Sequence, residues 1–270
     1  MRVTSLCRLA AFALALAPHR GESAGADDLP VDVELVLAVD VSRSMDRAEL
    51  RLQRDGYVAA LRDPDVMAAI ESGLYGRIAL TYVEWGGEAE QRVVIPWQVI
   101  DGPARAAAAA AYLAGWHGPP MHDTSISSAL LFADLLFRNN GFAGTRRIID
   151  VSGDGPNNWG PAVTAARDAV VRDGVTINGL PVTLHPGGPG GMDPALLAAY
   201  YEDCVTGGPD AFVLSVPTPE LLAETISRKM VQEISQREEP RLEKAKATHL
   251  AARVDCEIDH HVPNMITTPE

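Results

Sequence analysis

The sequence predicts a doubly wound, Rossmann-like α/β fold: a mostly parallel sheet with one antiparallel edge strand and helices on both faces. Three observations predict it. Short apolar runs rich in β-branched residues alternate with segments of helical spacing, the order expected of a parallel sheet with crossover helices. The first run, VELVLAVD at residues 33–40, is apolar almost throughout, as a strand covered on both faces requires. Two later runs are joined by Gly86-Gly87, a hairpin signal that makes one strand antiparallel.

The elements follow in order. Residues 45–61 have helical spacing, with Leu50, Tyr57, Val58 and Leu61 as anchors, and Arg62-Asp63-Pro64 breaks them. A short helix at 65–72 stops at Gly73. Residues 77–85 and 91–97 are the hairpin strands, and 103–113 is an Ala-rich helix that stops at Gly115. After the loop Gly118-Pro119-Pro120, a polar stretch at 121–130 opens a helix to about Phe137, with Asp123 or Thr124 as its simplest N-cap. Residues 146–151 are a buried strand, 161–172 a helix, and 175–182 a strand bent near Gly179 and Pro181. Beyond the Gly/Pro-rich loop 185–191 come a helix at 193–201, a strand at 211–216 and a last helix at 219–235. No internal repeat is present.

A chain of 270 residues, 47% hydrophobic, supports one large domain with a tail. Its net charge of -13 argues against nucleic acid and against anionic lipid surfaces as partners. Residues 1–26 read as a secretory signal peptide. Arg2 and Arg8 form its positive region, LAAFALALA its apolar core, and Ala24-Gly25-Ala26 its cleavage site. That core is too short to span a bilayer, so the expectation is export to the periplasm or outside, without direct membrane insertion. Residues 27–236 form the domain. Residues 237–270, with alternating charge and few large apolar side chains, form a tail, helical or disordered. Cys204 and Cys256 remain after cleavage; an oxidising compartment permits a disulfide, and the sequence leaves open whether they meet.

The candidate chemistry lies at strand ends. Asp40, Ser42 and Ser44 follow the first strand, each separated by one residue, where open α/β sheets place ligands. One carboxylate and two hydroxyls form a hard-oxygen set suited to Mg²⁺, with Mn²⁺ or Ca²⁺ as alternatives, and not to zinc or copper. The bland alternative is that Ser42 or Ser44 caps the next helix. Thr124 lies in the second polar stretch, and Asp154 sits between Gly153 and Gly155 after the strand at 146–151.

Taken together, Asp40-x-Ser42-x-Ser44, Thr124 with Ala129-Leu130 after it, and Asp154-Gly155 resemble the metal-ion-dependent adhesion site of von Willebrand factor A domains. The resemblance covers roughly residues 31–235. The turn reads Ser-Gly-Asp-Gly where the family has Thr-Asp-Gly. Asn157 after that turn, and the Tyr-Tyr-x-x-Cys-Val-x-Gly-Gly segment at 200–208, are similar to a domain-of-unknown-function group of exported bacterial A-type proteins. The resemblance implies a protein-interaction module rather than an enzyme. Asp40, Ser42, Ser44, Thr124 and Asp154 would hold the ion, and an unknown partner protein would complete the shell with a Glu or Asp.

Rival chemistries are weaker. A haloacid-dehalogenase-type phosphatase needs a second Asp where Ser42 stands, and neither a G-x-S-x-G elbow nor a Walker loop is present. A structural A-like domain without an ion is the other alternative. In the tail, His249, Cys256, His260 and His261 fit no closed zinc pattern, and a solvated tail is the preferred reading. Asp46, Asp123, Asn157, Asn158 and Trp159 are candidates for the rim of the site, Trp159 either as a partner contact or as packing under the loop. His122 is read as a loop or core residue.

Overall fold

The computed structural model describes residues 28–184, 192–216, 218–235 and 254–256. The segment 1–26 expected to be a signal peptide, the loop 185–191 and most of the expected tail, His249, His260 and His261 included, lie outside the described residues.

Five strands form one sheet in the order β3-β2-β1-β4-β5. They are β1 (Leu29–Asp40), β2 (Ile78–Trp85), β3 (Gln91–Ile100), β4 (Phe142–Gly153) and β5 (Thr176–Pro181). All pairings are parallel except β2 with β3. The helices are α1 (Arg47–Ala60), α2 (Pro64–Glu71), α3 (Pro103–Gly115), α4 (Ile126–Leu136), α5 (Val163–Arg172), α6 (Pro194–Tyr200) and α7 (Leu222–Ser235).

The apolar run of β1 is covered on both faces. Val33, Leu35, Leu37 and Val39 pack with residues of α1, α2, α3 and α7, while Val36 and Ala38 pack with those of α4, α5 and α6. Period-two side-chain direction thus splits one strand between two cores. β3 runs on past Trp97 to Ile100 as an edge strand, where Pro96 is tolerated because no neighbour needs its missing N–H.

Three expectations change. Residues 211–216 do not form a strand: Val213 makes a single parallel bridge to Gly179. The edge of β5 is shared, because Gly207 already takes Ile177 in an antiparallel bridge, so a continuous sixth strand has no free edge. The cap of α1 is Asp46, in a capping box with Glu49, and not Ser42 or Ser44. The cap of α4 is Ser125, whose side chain accepts from the Ser128 N–H, and not Asp123 or Thr124. Both cap shifts release the candidate ligands from the bland reading.

Cys204 and Cys256 are bonded, which settles that open question and removes Cys256 from any tail metal site. Beside the disulfide, the Val254 N–H donates to Asp203 Oδ2 at 3.2 Å. Among the described residues, no helix is long and apolar enough to cross a membrane.

Candidate metal centre

β1 and β4 are neighbours, with Val39 opposite Ser152, so the loops after them leave the same edge of the sheet side by side. Asp40 is fully buried at the floor. Its Oδ1 accepts the Ser42 N–H at 2.7 Å, and its carbonyl accepts from Gln53 Nε2 of α1 at 2.9 Å. Ser42 Oγ and Ser44 Oγ are 2.9 Å apart, and Ser44 Oγ donates to Asp154 Oδ1 at 2.7 Å. A continuous polar chain therefore climbs from the floor, by Ser42, to exposed Ser44 and half-buried Asp154.

The third loop is tied in through its backbone. The Met121 N–H donates to Val41 O at 2.8 Å, and the Ser125 N–H to Gly86 O at 2.8 Å. Thr124 is 4% exposed; its N–H donates to Asn158 Oδ1 at 2.9 Å, and the Asn158 N–H returns to Thr124 O at 2.9 Å. Asn157 pins the same junction from below, with Oδ1 accepting the Ser127 N–H at 2.9 Å and its own N–H donating to Tyr200 Oη at 3.1 Å. Asp40, Ser42, Ser44 and Asp154 thus share one chain of contacts, whereas Thr124 is tied through its own N–H and carbonyl to Asn158, in the loop that also carries Asp154.

The electrostatics are unbalanced. Burial, and then the charge of Asp154, pushes the Asp40 carboxyl up to about 8. Burial also raises Asp154, opposed by the Ser44 hydroxyl. Among the described residues, no Lys or Arg forms an ion pair with either carboxylate. Asp40 Oδ2 is buried without a hydrogen-bond partner among the described residues. A buried anion with an open oxygen is stabilised by a cation placed beside it. Oxygen-only donors fit a hard divalent ion. Among the described residues, no group of three His, Cys, Asp or Glu side chains is placed to hold a metal ion, at this site or elsewhere, so a cation here would rest on two carboxylates and on hydroxyls.

The other candidates sort differently. Asp46 is a helix cap, Asn157 is a buried brace, and Asn158 clamps Thr124. Asp123 takes a left-handed φ of 39° in an exposed turn. Trp159 is 54% exposed, so it does not pack under the loop. His122 is an exposed loop residue, bound to Glu90 by Nδ1 at 2.9 Å and by its N–H at 2.6 Å. Gln53 and Tyr201 escaped sequence reasoning as site residues. Gln53 carries no signal beyond its place in α1, and Tyr201 was visible only as part of a family-like segment.

A protein-family profile matches residues 30–238. The chain belongs to the DUF1194 family, described as "Protein of unknown function". No curated protein sequence matches the chain. Among solved structures, this DUF1194 chain is similar in fold to proximal thread matrix protein 1 of the mussel byssus, at TM-score 0.55 and 14% identity over 76% of this chain and 49% of that one. Another structure of that mussel protein has a zinc-occupied adhesion-site motif. The pilus adhesin SpaC of Lactobacillus rhamnosus GG matches at TM-score 0.56 and 13% identity, over 76% of this chain and 30% of that one. A von Willebrand factor type A protein from Catenulispora acidiphila matches at 0.52 and 16%, over 76% and 43%. The DUF1194 chain spans about half or less of each of these proteins. They establish a von Willebrand factor A-type fold.

Proposed function

We propose that this chain is an exported protein-interaction module, and not an enzyme. Asp40, Ser42, Ser44, Thr124 and Asp154 would hold a divalent cation, Mg²⁺ first and Mn²⁺ or Ca²⁺ as alternatives. The observation that carries the reading is the buried, unpartnered Oδ2 of Asp40 at the foot of the Ser42–Ser44–Asp154 chain. When bound, such an ion offers one coordination position to an incoming carboxylate.

The residues set what that carboxylate meets. Two carboxylates against one divalent charge leave the site near neutral, so a Glu or Asp from a partner protein is not repelled. The hydroxyls add oxygen donors without charge. Trp159, exposed beside the clamp of Asn158 on Thr124, offers an aromatic edge to the same partner. Nothing here favours nucleic acid, given the net charge of -13.

A phosphatase reading is disfavoured by the same geometry. The fully buried lysine of α7, Lys229, is already engaged by Asp150 and Glu233. Export rests on the N-terminal residues 1–26. The Cys204–Cys256 bond fits an oxidising compartment.

The test is capture of glutamate- and aspartate-bearing peptides with added Mg²⁺ and with chelator, alongside asparagine and glutamine versions. Capture that needs both the metal and the acid supports the reading. Capture indifferent to chelator, or turnover of phosphate monoesters that depends on Asp40, contradicts it.

A further inference from the structure

Asp40 is held from three directions. Its carbonyl accepts from Gln53 Nε2, the Val41 N–H that follows donates to Trp85 O at 2.9 Å, and its Oδ1 accepts from the Ser42 N–H. Its Oδ2 meets no hydrogen-bond partner among the described residues, although the Ser42 hydroxyl and the Asp154 backbone lie near enough to the carboxyl to favour its charged form. Tyr201 Oη and Trp85 Nε1 are among the other buried polar atoms that lack hydrogen-bond partners among the described residues.

Gly153 shows which of these meet. A Cβ at Gly153 would lie 2.7 Å from Tyr201 Oη, 2.9 Å from Asp40 Oδ2 and 3.3 Å from the Trp85 ring at Cη2. The phenol and the free carboxylate oxygen therefore border one small space that the glycine keeps clear. Trp85 turns a carbon towards it, so the phenol is the donor that faces the carboxylate. Burial, followed by the charge of Asp40, keeps the Tyr201 hydroxyl protonated.

The backbone around Tyr201 is itself unusual. Tyr201 opens a π-helical turn, Tyr201–Val205, closed by the Thr206 N–H on Tyr201 O at 2.9 Å. Single π turns re-aim side chains and recur at functional sites. The turn directly follows α6, and Cys204 within it is tied to Cys256. Adjacent tyrosines thus reach the two sides of the site: Tyr200 accepts from the Asn157 N–H, and Tyr201 faces Asp40.

We infer that Tyr201 is a positioning residue for Asp40. Its phenol donates to Oδ2 through one water beside Gly153, or directly once the carboxylate turns towards a cation, and so fixes the plane of the carboxylate. The inference rests on the metal reading of the site. Groups that orient a metal ligand typically change metal affinity by about 10–100-fold when removed.

Tyr201→Phe keeps the ring and removes only the hydroxyl. Mg²⁺ and Mn²⁺ are titrated into the full mature wild-type and variant proteins by calorimetry, and the near-ultraviolet tyrosine difference spectrum is recorded on Mg²⁺ addition. The expected result is affinity about tenfold weaker in the variant, with an unfolding midpoint without metal no lower than wild type. A tyrosine difference band should appear in wild type and be missing from the variant. Affinity within twofold of wild type, or a band that is absent from wild type or survives the substitution, overturns the inference alone. Wild-type protein that binds neither ion overturns the metal reading and this inference together. The wild-type band tests the contact even if the variant fails to fold.

Discussion

Ser44 Oγ donates to Asp154 Oδ1 at 2.7 Å, joining two loops separated by 110 residues in sequence. The contact is exposed and carries little stability by itself, so removing it separates function from folding. Ser44→Ala is expected to change the unfolding free energy by no more than about 0.5 kcal/mol. It is expected to weaken Mg²⁺ binding by about tenfold or more, since a proposed ligand and the group that orients another proposed ligand are lost together. Denaturant titration and calorimetry on the same preparation check both.

Asp46 provides the converse. It caps α1 by accepting from the N–H groups of Ala48 and Glu49, at 2.6 and 2.9 Å. Asp46→Ala should cost about 1 kcal/mol of stability and leave metal affinity unchanged. A lost affinity would return Asp46 to the rim of the site.

Metal binding should be linked to protons. Without metal, the Asp40 carboxyl sits near 8, above its ordinary value of 3.8. At pH 7 an incoming cation therefore displaces a proton, and affinity rises with pH until about 8, where it levels. Calorimetry in buffers of different ionisation enthalpy reads the proton release directly.

The same sign governs stability without metal. Asp40 and Glu233, the latter pushed up to about 7, bind protons more tightly folded than unfolded. Burial is the first cause for both, followed by Asp154 for Asp40 and by Asp150 for Glu233. Their contribution is fully present below the unfolded carboxylate range and is lost as pH rises through the folded values. Stability is expected to fall between about pH 5 and pH 8, and Mg²⁺ should restore the Asp40 part alone. Denaturation midpoints across that range, with and without Mg²⁺, test it.

Lys229 anchors α7 under the sheet. Its Nζ lies 2.6 Å from Asp150 Oδ1 and contacts Glu233 Oε1, with all three side chains buried. Asn178 Nδ2 donates to Glu233 at 3.0 Å, and Arg146 donates to the carbonyls of Glu233 and Ile234 at 2.7 Å each. Lys229→Met leaves two buried carboxyl groups without a cation between them and should cost about 3–5 kcal/mol. Urea unfolding measures it.

Much of this was legible in the chain. The double burial of β1 follows from its unbroken apolar run, and the hairpin from Gly86-Gly87 between two β-rich segments. Asp40, Ser42 and Ser44 stand out as candidates because oxygen-bearing residues alternate at a strand end, and Asp154 because it sits between glycines at another, and the structure brings these four side chains into one chain of contacts. The caps of α1 and α4 differ from expectation because Ser42, Ser44, Asp46, Asp123, Thr124 and Ser125 are all residue types that cap well, and only three-dimensional aim chooses among them. Residues 211–216 have strand propensity but form no strand, because Gly207 already occupies part of the edge of β5 and propensity cannot show that. Tyr201 and Gln53 were invisible as site residues because their roles depend on packing across elements rather than on spacing along one.

The most direct measurement is calorimetric titration of Mg²⁺ and Mn²⁺ into the mature protein, with Zn²⁺ included because the mussel protein of similar fold holds it, beside Asp40→Ala and Asp154→Ala. One saturable site per chain is expected in wild type, preferring Mg²⁺ or Mn²⁺, and abolished in both variants. Equal binding in wild type and in Asp40→Ala, or no binding of any ion to a folded wild-type protein, would contradict it.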